Sequence, residues 1–109
     1  MSSSRSSGAG WLHFAGVAGS GMSALAQFHA RECARRGGRA TGSDRAFDQG
    51  AHGFIRARLE AAGIEIHPQD GSGLAAGCDG VVVSTAVEDK VPDVAVAKRM
   101  GLPVLHRSE

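Results

Sequence analysis

The chain has 109 residues, is 42% hydrophobic and 21% charged, and carries a formal net charge of +1 at pH 7. That length holds one domain around one core, which excludes two-domain chemistry within it. So small a net charge excludes the basic field that attracts nucleic acid or an anionic membrane, and any anion must be held locally. Cys33 and Cys78 lie far apart in no metal-ligand spacing, and the five histidines are scattered, a pattern of two ordinary buried thiols in a reducing, cytoplasmic setting. No run of about 18 apolar residues occurs, so no membrane span is expected.

Residues 1–10, "MSSSRSSGAG", offer little to bury and read as a disordered leader, leaving 11–109 as the domain. Arg5 and the later "ALA" of Ala24 to Ala26 imitate a secretory signal with its cleavage site. His13 and the glycines interrupt that run, however, and the same residues fit a strand and a helix better. Trp11 to Gly16 is a short apolar run bounded by glycine, as expected of a strand buried on both faces. From Ser20 to about Arg36 the period changes, and Met22, Leu25, Ala26, His29 and Cys33 recur on one helical face. Arg35 and Arg36 suit the helix end, and Gly37 and Gly38 can stop it.

Arg39 to Asp44, "RATGSD", reads as a second strand running into a polar turn, and "RAFDQGAHG" after it as a loop. A second helix carries Ile55, Leu59 and Ala62 as its stripe and closes at Gly63. Ile64 to His67 is a brief third strand ended by Pro68, and "PQDGSGLAAG" has no clear period beyond a single turn. Gly80 to Ser84, with three consecutive valines, is the clearest strand. Pro92 opens a last helix in which Val96 and Met100 share a side, Gly101 caps it, and Pro103 to His106 is the final strand.

Strands alternating with helices through short connections predict an α/β fold. It is Rossmann-like and doubly wound, a mostly parallel sheet of about five strands with helices on both faces. Ligands of such sheets gather outside the carboxyl ends of the strands, where the winding reverses. Three loops rich in small and hydroxyl residues reach that edge: "GVAGSG", "TGSD" and "STAVED".

The first loop suits phosphate. Amides at a helix start have no internal partner, the helix dipole adds partial positive charge, and Gly16, Gly19 and Gly21 let the main chain approach an anion closely. Ser20 can cap the helix or donate its hydroxyl. The absence of "GK[ST]" rules out the nucleotide-triphosphate loop. The dinucleotide pattern wants glycine at its third place, where Ala18 stands, although the loop follows a strand, opens a helix, and is followed roughly twenty residues on by an acid, Asp44. A tight turn built of small residues is the rival reading. Ser84 and Thr85, past the triple valine, either contact a ligand or satisfy local backbone groups. His13 and His29 read as hydrogen-bonded core residues, His67 and His106 carry no assignment, and no nucleophile, base and orienting acid form a signature.

"HFAGVAGSGMSALA", "TGSD", "VVVSTAVED" with its following proline, and "GLPVLHRSE" together resemble the amino-terminal domain of the Mur ligases. The likeness runs from about Trp11 to Glu109 and is nearest the alanine-adding branch and its muropeptide-recycling relatives. The resemblance implies a Rossmann-like domain that binds the uridine diphosphate part of UDP-N-acetylmuramic acid, or a related UDP-sugar, rather than a nicotinamide cofactor. It would place Gly16, Ala18, Gly19, Ser20, Gly21 and Met22 by the pyrophosphate, Ser43 and Asp44 by the uridine, and Ser84 and Thr85 along the same cleft. It also implies no catalytic residue, metal or cofactor in this domain. ATP and Mg2+ would be used by the other domains of the full ligase, the partners of this one, and neither nucleic acid nor membrane is an expected partner. The other readings are an NAD(P)-binding oxidoreductase domain and a stand-alone module that senses a UDP-sugar. Two departures stand out: Ala18 replaces the usual glycine, and the exit of the third strand lacks the usual "GH" pair.

Overall fold

The computed structural model describes residues 9–84 and 91–107. In chain order it runs β1 (Trp11–Ala15), α1 (Ser20–Arg36), β2 (Arg39–Ser43), α2 (Arg45–Asp48), α3 (Gly53–Ala61), β3 (Ile64–Ile66), β4 (Gly80–Ser84), α4 (Pro92–Met100) and β5 (Val104–Arg107). The five strands form one sheet of order β3-β2-β1-β4-β5 with every pairing parallel. This is the α/β Rossmann-like architecture expected from the sequence. The direction of winding reverses between β1 and β4, which puts the switch point at the carboxyl ends of those two strands.

Alternation along the strands divides the core in two. On the front face Phe14, Ala40, Ile64 and Val82 pack against Met22, Ala26 and Ala30 of α1 and Leu59 of α3. On the back, Ala15, Val81 and Val83 meet Val91, Val94 and Ala97 around α4. Burying each large side chain in these layers contributes about 1.5–3 kcal/mol. Gly42 of β2 lets the turn after β1 pack onto the front of the sheet, because a Cβ there would sit 3.1 Å from the Val17 side chain.

Several elements differ from the sequence expectation. The "RAFD" segment is the short helix α2, because the Asp44 side chain accepts a hydrogen bond from Ala46 N and caps it, while Phe47 is buried in the front core. In α4 the buried apolar residues are Val94 and Ala97, while Met100 is 40% exposed, since the helix lies on the sheet by its other side. Leu25 likewise lies at the rim of the α1 stripe, whose buried members are Met22, Ala26, His29 and Ala30. Ala9 and Gly10, at the end of the expected leader, are tied down: Ala9 N donates to Gly37 O and Arg39 N donates to Gly10 O. Residues 1–8 of that leader, and Thr85, lie outside the described residues.

Candidate functional site

The turn between β1 and α1 is held almost entirely by the end of β2. Gly16, at φ 84°, occupies a left-handed conformation that a residue with a Cβ rarely adopts. Gly16 N and Val17 N both donate to the Ser43 carbonyl, at 2.8 and 3.0 Å, and Ala18 N donates to Asp44 Oδ2 at 2.9 Å. Gly19 N returns to Gly16 O at 3.2 Å. Four consecutive amides of the expected phosphate loop are therefore consumed by the fold.

The next amides are different. Gly19 is the N-cap of α1 in extended geometry, with no side-chain cap and no acid in the first turn. The first internal helical bond runs from Ser23 N to Gly19 O at 2.7 Å. Gly21 N and Met22 N precede it and have no acceptor among the described residues. They sit at the positive end of a 17-residue helix, where a bound anion gains both hydrogen bonds and the helix field. Met22 offers only this amide, since its side chain is buried in the front core. Of Ser20 the structure describes the backbone alone. Ala18 does not intrude on these donors through its amide, which Asp44 holds. Its methyl packs against the front core and lines a cleft of about 320 Å³ between α1 and α3, with Ser23, Gln27 and Arg58.

Behind the turn lies a buried polar network that the sequence did not announce. Asp93, in the first turn of α4, is fully buried. One of its oxygens, Oδ2, lies 2.8 Å from His13 Nε2 and accepts the Ser43 hydroxyl; the other accepts Gly71 N at 2.7 Å. His13 Nδ1 lies 2.8 Å from Thr41 Oγ1, which in turn accepts from Trp11 Nε1 at 2.9 Å. Facing an acceptor-only carboxylate, Nε2 carries the proton, and Nδ1 then accepts from the Thr41 hydroxyl. Burial alone would raise the Asp93 pKa, but the hydrogen bonds from His13, Ser43 and the Gly71 amide outweigh it and hold the carboxyl below its ordinary value. The network thus clamps Ser43, whose carbonyl holds the glycine turn. His13 and His29 are core residues as expected, His29 with Nε2 3.2 Å from Gly10 O and 3.1 Å from Arg39 O.

Of the remaining sequence candidates, Ser43 is fully buried with its hydroxyl spent on Asp93, so it reaches the site through its backbone. Asp44 lies beside the turn with one oxygen on Ala18 N and the other on Ala46 N. Ser84 ends β4 at the same edge, half-buried. Asp93 was missed because an acid after a helix-opening proline looks like a solvated first-turn residue. A signal did exist: Trp11, His13, Thr41 and Ser43 alternate along two adjacent strands and put polar atoms on one face. Among the described residues no group of three or more His, Cys, Asp or Glu is placed to hold a metal ion, and no helix is long and apolar enough to cross a membrane.

A parallel α/β sheet with uncapped helix amides at its switch point is an arrangement whose geometry suits an anion. Comparison with known proteins narrows the class. Residues 12–109 match the family described as "Mur ligase family, catalytic domain", and the chain belongs to the Mur ligase family. It is similar to the UDP-N-acetylmuramate–L-alanine ligase of Symbiobacterium thermophilum, 42% identical over 100 residues that cover 90% of this chain and 19% of that protein. The corresponding protein of an Arthrobacter species is 41% identical over 100 residues, with 92% and 20% covered. That of Dictyoglomus turgidum is 34% identical over 98 residues, with 90% and 19% covered. The chain therefore spans about one fifth of the length of the curated relatives it matches.

Proposed function

We propose that this domain binds the UDP part of UDP-N-acetylmuramic acid, or of a related muropeptide, as the substrate-recognition domain of a longer cytoplasmic ligase that forms amide bonds in peptidoglycan synthesis or recycling. The observation that carries the proposal is the pair of unaccepted amides, Gly21 N and Met22 N, at the start of α1 in a chain of this family. A pyrophosphate bridging them replaces lost water hydrogen bonds with charge-assisted ones and needs no lysine. The amides of residues 16–19 are fixed by Ser43, Asp44 and Gly16, so the free donors are already aimed before a ligand arrives. Each Asp44 oxygen keeps a second lone pair, which suits it to a ribose hydroxyl, and Ser84 ends β4 at the same edge. In this reading ATP and Mg2+ serve the other domains of the longer ligase, and this domain supplies substrate recognition.

Thermal denaturation with UDP-N-acetylmuramic acid, UDP and NAD in parallel tests the reading. At tenfold excess over Kd the UDP compounds should raise Tm by on the order of 5 °C, and NAD should leave it unchanged. Stabilisation by NAD and not by UDP would instead make this a dinucleotide-binding oxidoreductase domain.

A further inference from the structure

The sheet is covered unequally. α1 and α3 lie on the front against β1, β2 and β3, and α4 lies on the back against β4 and β5. Across the front of β4 and β5 the described residues place no helix. There Leu12, Phe14, Val82 and Leu105 of the strands, with Leu25 and Phe28 of α1, line an open groove of about 420 Å³. Phe28 is 55% exposed, Leu105 44% and Leu25 36%. Parallel sheets are normally buried on both faces, and a continuous apolar surface of this kind marks a contact.

Two facts say what covers it. Right-handed crossovers between β4, β5 and any further parallel strand on that side would put their helices on the back, with α4, so the front must be covered by polypeptide from outside these βαβ units. The matched relatives are about five times as long as this chain, and β5, which forms one wall of the groove, is the outermost strand. We propose that the groove is the docking surface for the ligase polypeptide beyond this domain, which lays an amphipathic helix along it. Apolar residues at three- and four-residue spacing on that helix meet Phe28, Val82 and Leu105. The proposal rests on the reading of this chain as part of a longer ligase, but not on which nucleotide the glycine turn holds.

The test compares the 109-residue chain with the same chain continued in its own reading frame by about 40 residues, room for a short connection and an average helix. The shorter chain should be monomeric and should enhance the fluorescence of an apolar dye such as anilinonaphthalene sulfonate. The continuation should suppress that signal several-fold and raise Tm by on the order of 10 °C. Substituting Phe28→Ser and Leu105→Ser together should return the longer chain's Tm toward that of the shorter one, while changing the shorter chain little. A reading frame that stops after Glu109, a dye signal indifferent to the continuation, or a shorter chain that dimerises through Phe28 overturns the proposal. UDP-N-acetylmuramic acid is titrated into both chains. A covered groove without nucleotide binding leaves the docking surface standing and removes the substrate reading, and nucleotide binding with an uncovered groove does the reverse.

Discussion

On the front of β1 and β2, Phe14 and Ala40 belong to a mainly apolar layer, joined by the His29 ring 5.8 Å from that of Phe14, whereas on the back His13, Thr41 and Ser43 converge toward one buried carboxylate. The front layer gives non-directional stabilisation that tolerates small shifts. The back layer is directional: each donor has one acceptor, and through Ser43 that geometry reaches the Gly16 and Val17 amides. The same two strands thus supply stability on one side and positional accuracy on the other.

The sharpest way to break this comparison is Asp93→Ala, which leaves His13, Ser43 and Gly71 N without their acceptor and should cost about 3–5 kcal/mol in urea denaturation. Acid should reach the same interaction. The folded pKa of Asp93 is held below its ordinary 3.8, so its contribution is complete above that value and disappears as pH falls through the lower folded one. In Asp93→Asn that part of the pH profile should flatten.

On the front, Leu59→Ala should cost about 2–5 kcal/mol, comparable in stability, yet leave nucleotide affinity within about twofold of the parent. If Leu59→Ala weakens binding by well over twofold, the division of labour between the faces is wrong. Gly42→Ala reaches the turn from the front layer, since its Cβ would press on Val17, whose amide the Ser43 carbonyl holds; it should cost about 1–3 kcal/mol and weaken binding as well. Smallest of all, Ala18→Gly should destabilise by less than about 1 kcal/mol and leave affinity unchanged, because the Ala18 amide is already committed to Asp44.

Strand and helix order was legible in the sequence because parallel strands such as Gly80–Ser84 are apolar on both faces and glycines punctuate the helix ends. What periodicity missed was orientation. Val96 and Met100 are as apolar as Val94 and Ala97, and only packing against β4 chooses between the two sides of α4. Helix α2 escaped because four residues are too few to show a period, and its cap, Asp44, also fits a turn. At the site, the sequence located the turn but could not say which amides were spent. That depends on the Ser43 carbonyl and the Asp44 carboxylate, 26 or 27 positions away along the chain and adjacent only because β1 and β2 are parallel. The Asp93 clamp joins positions 80 residues apart, and nothing local marks it.

The central claim is tested most directly by following backbone amide resonances while UDP-N-acetylmuramic acid is added. Gly21 and Met22 should show the largest shifts, with Gly16 and Val17 moving little because Ser43 already holds them. Movement of Gly16 and Val17 with Gly21 and Met22 silent at saturating ligand would contradict the account.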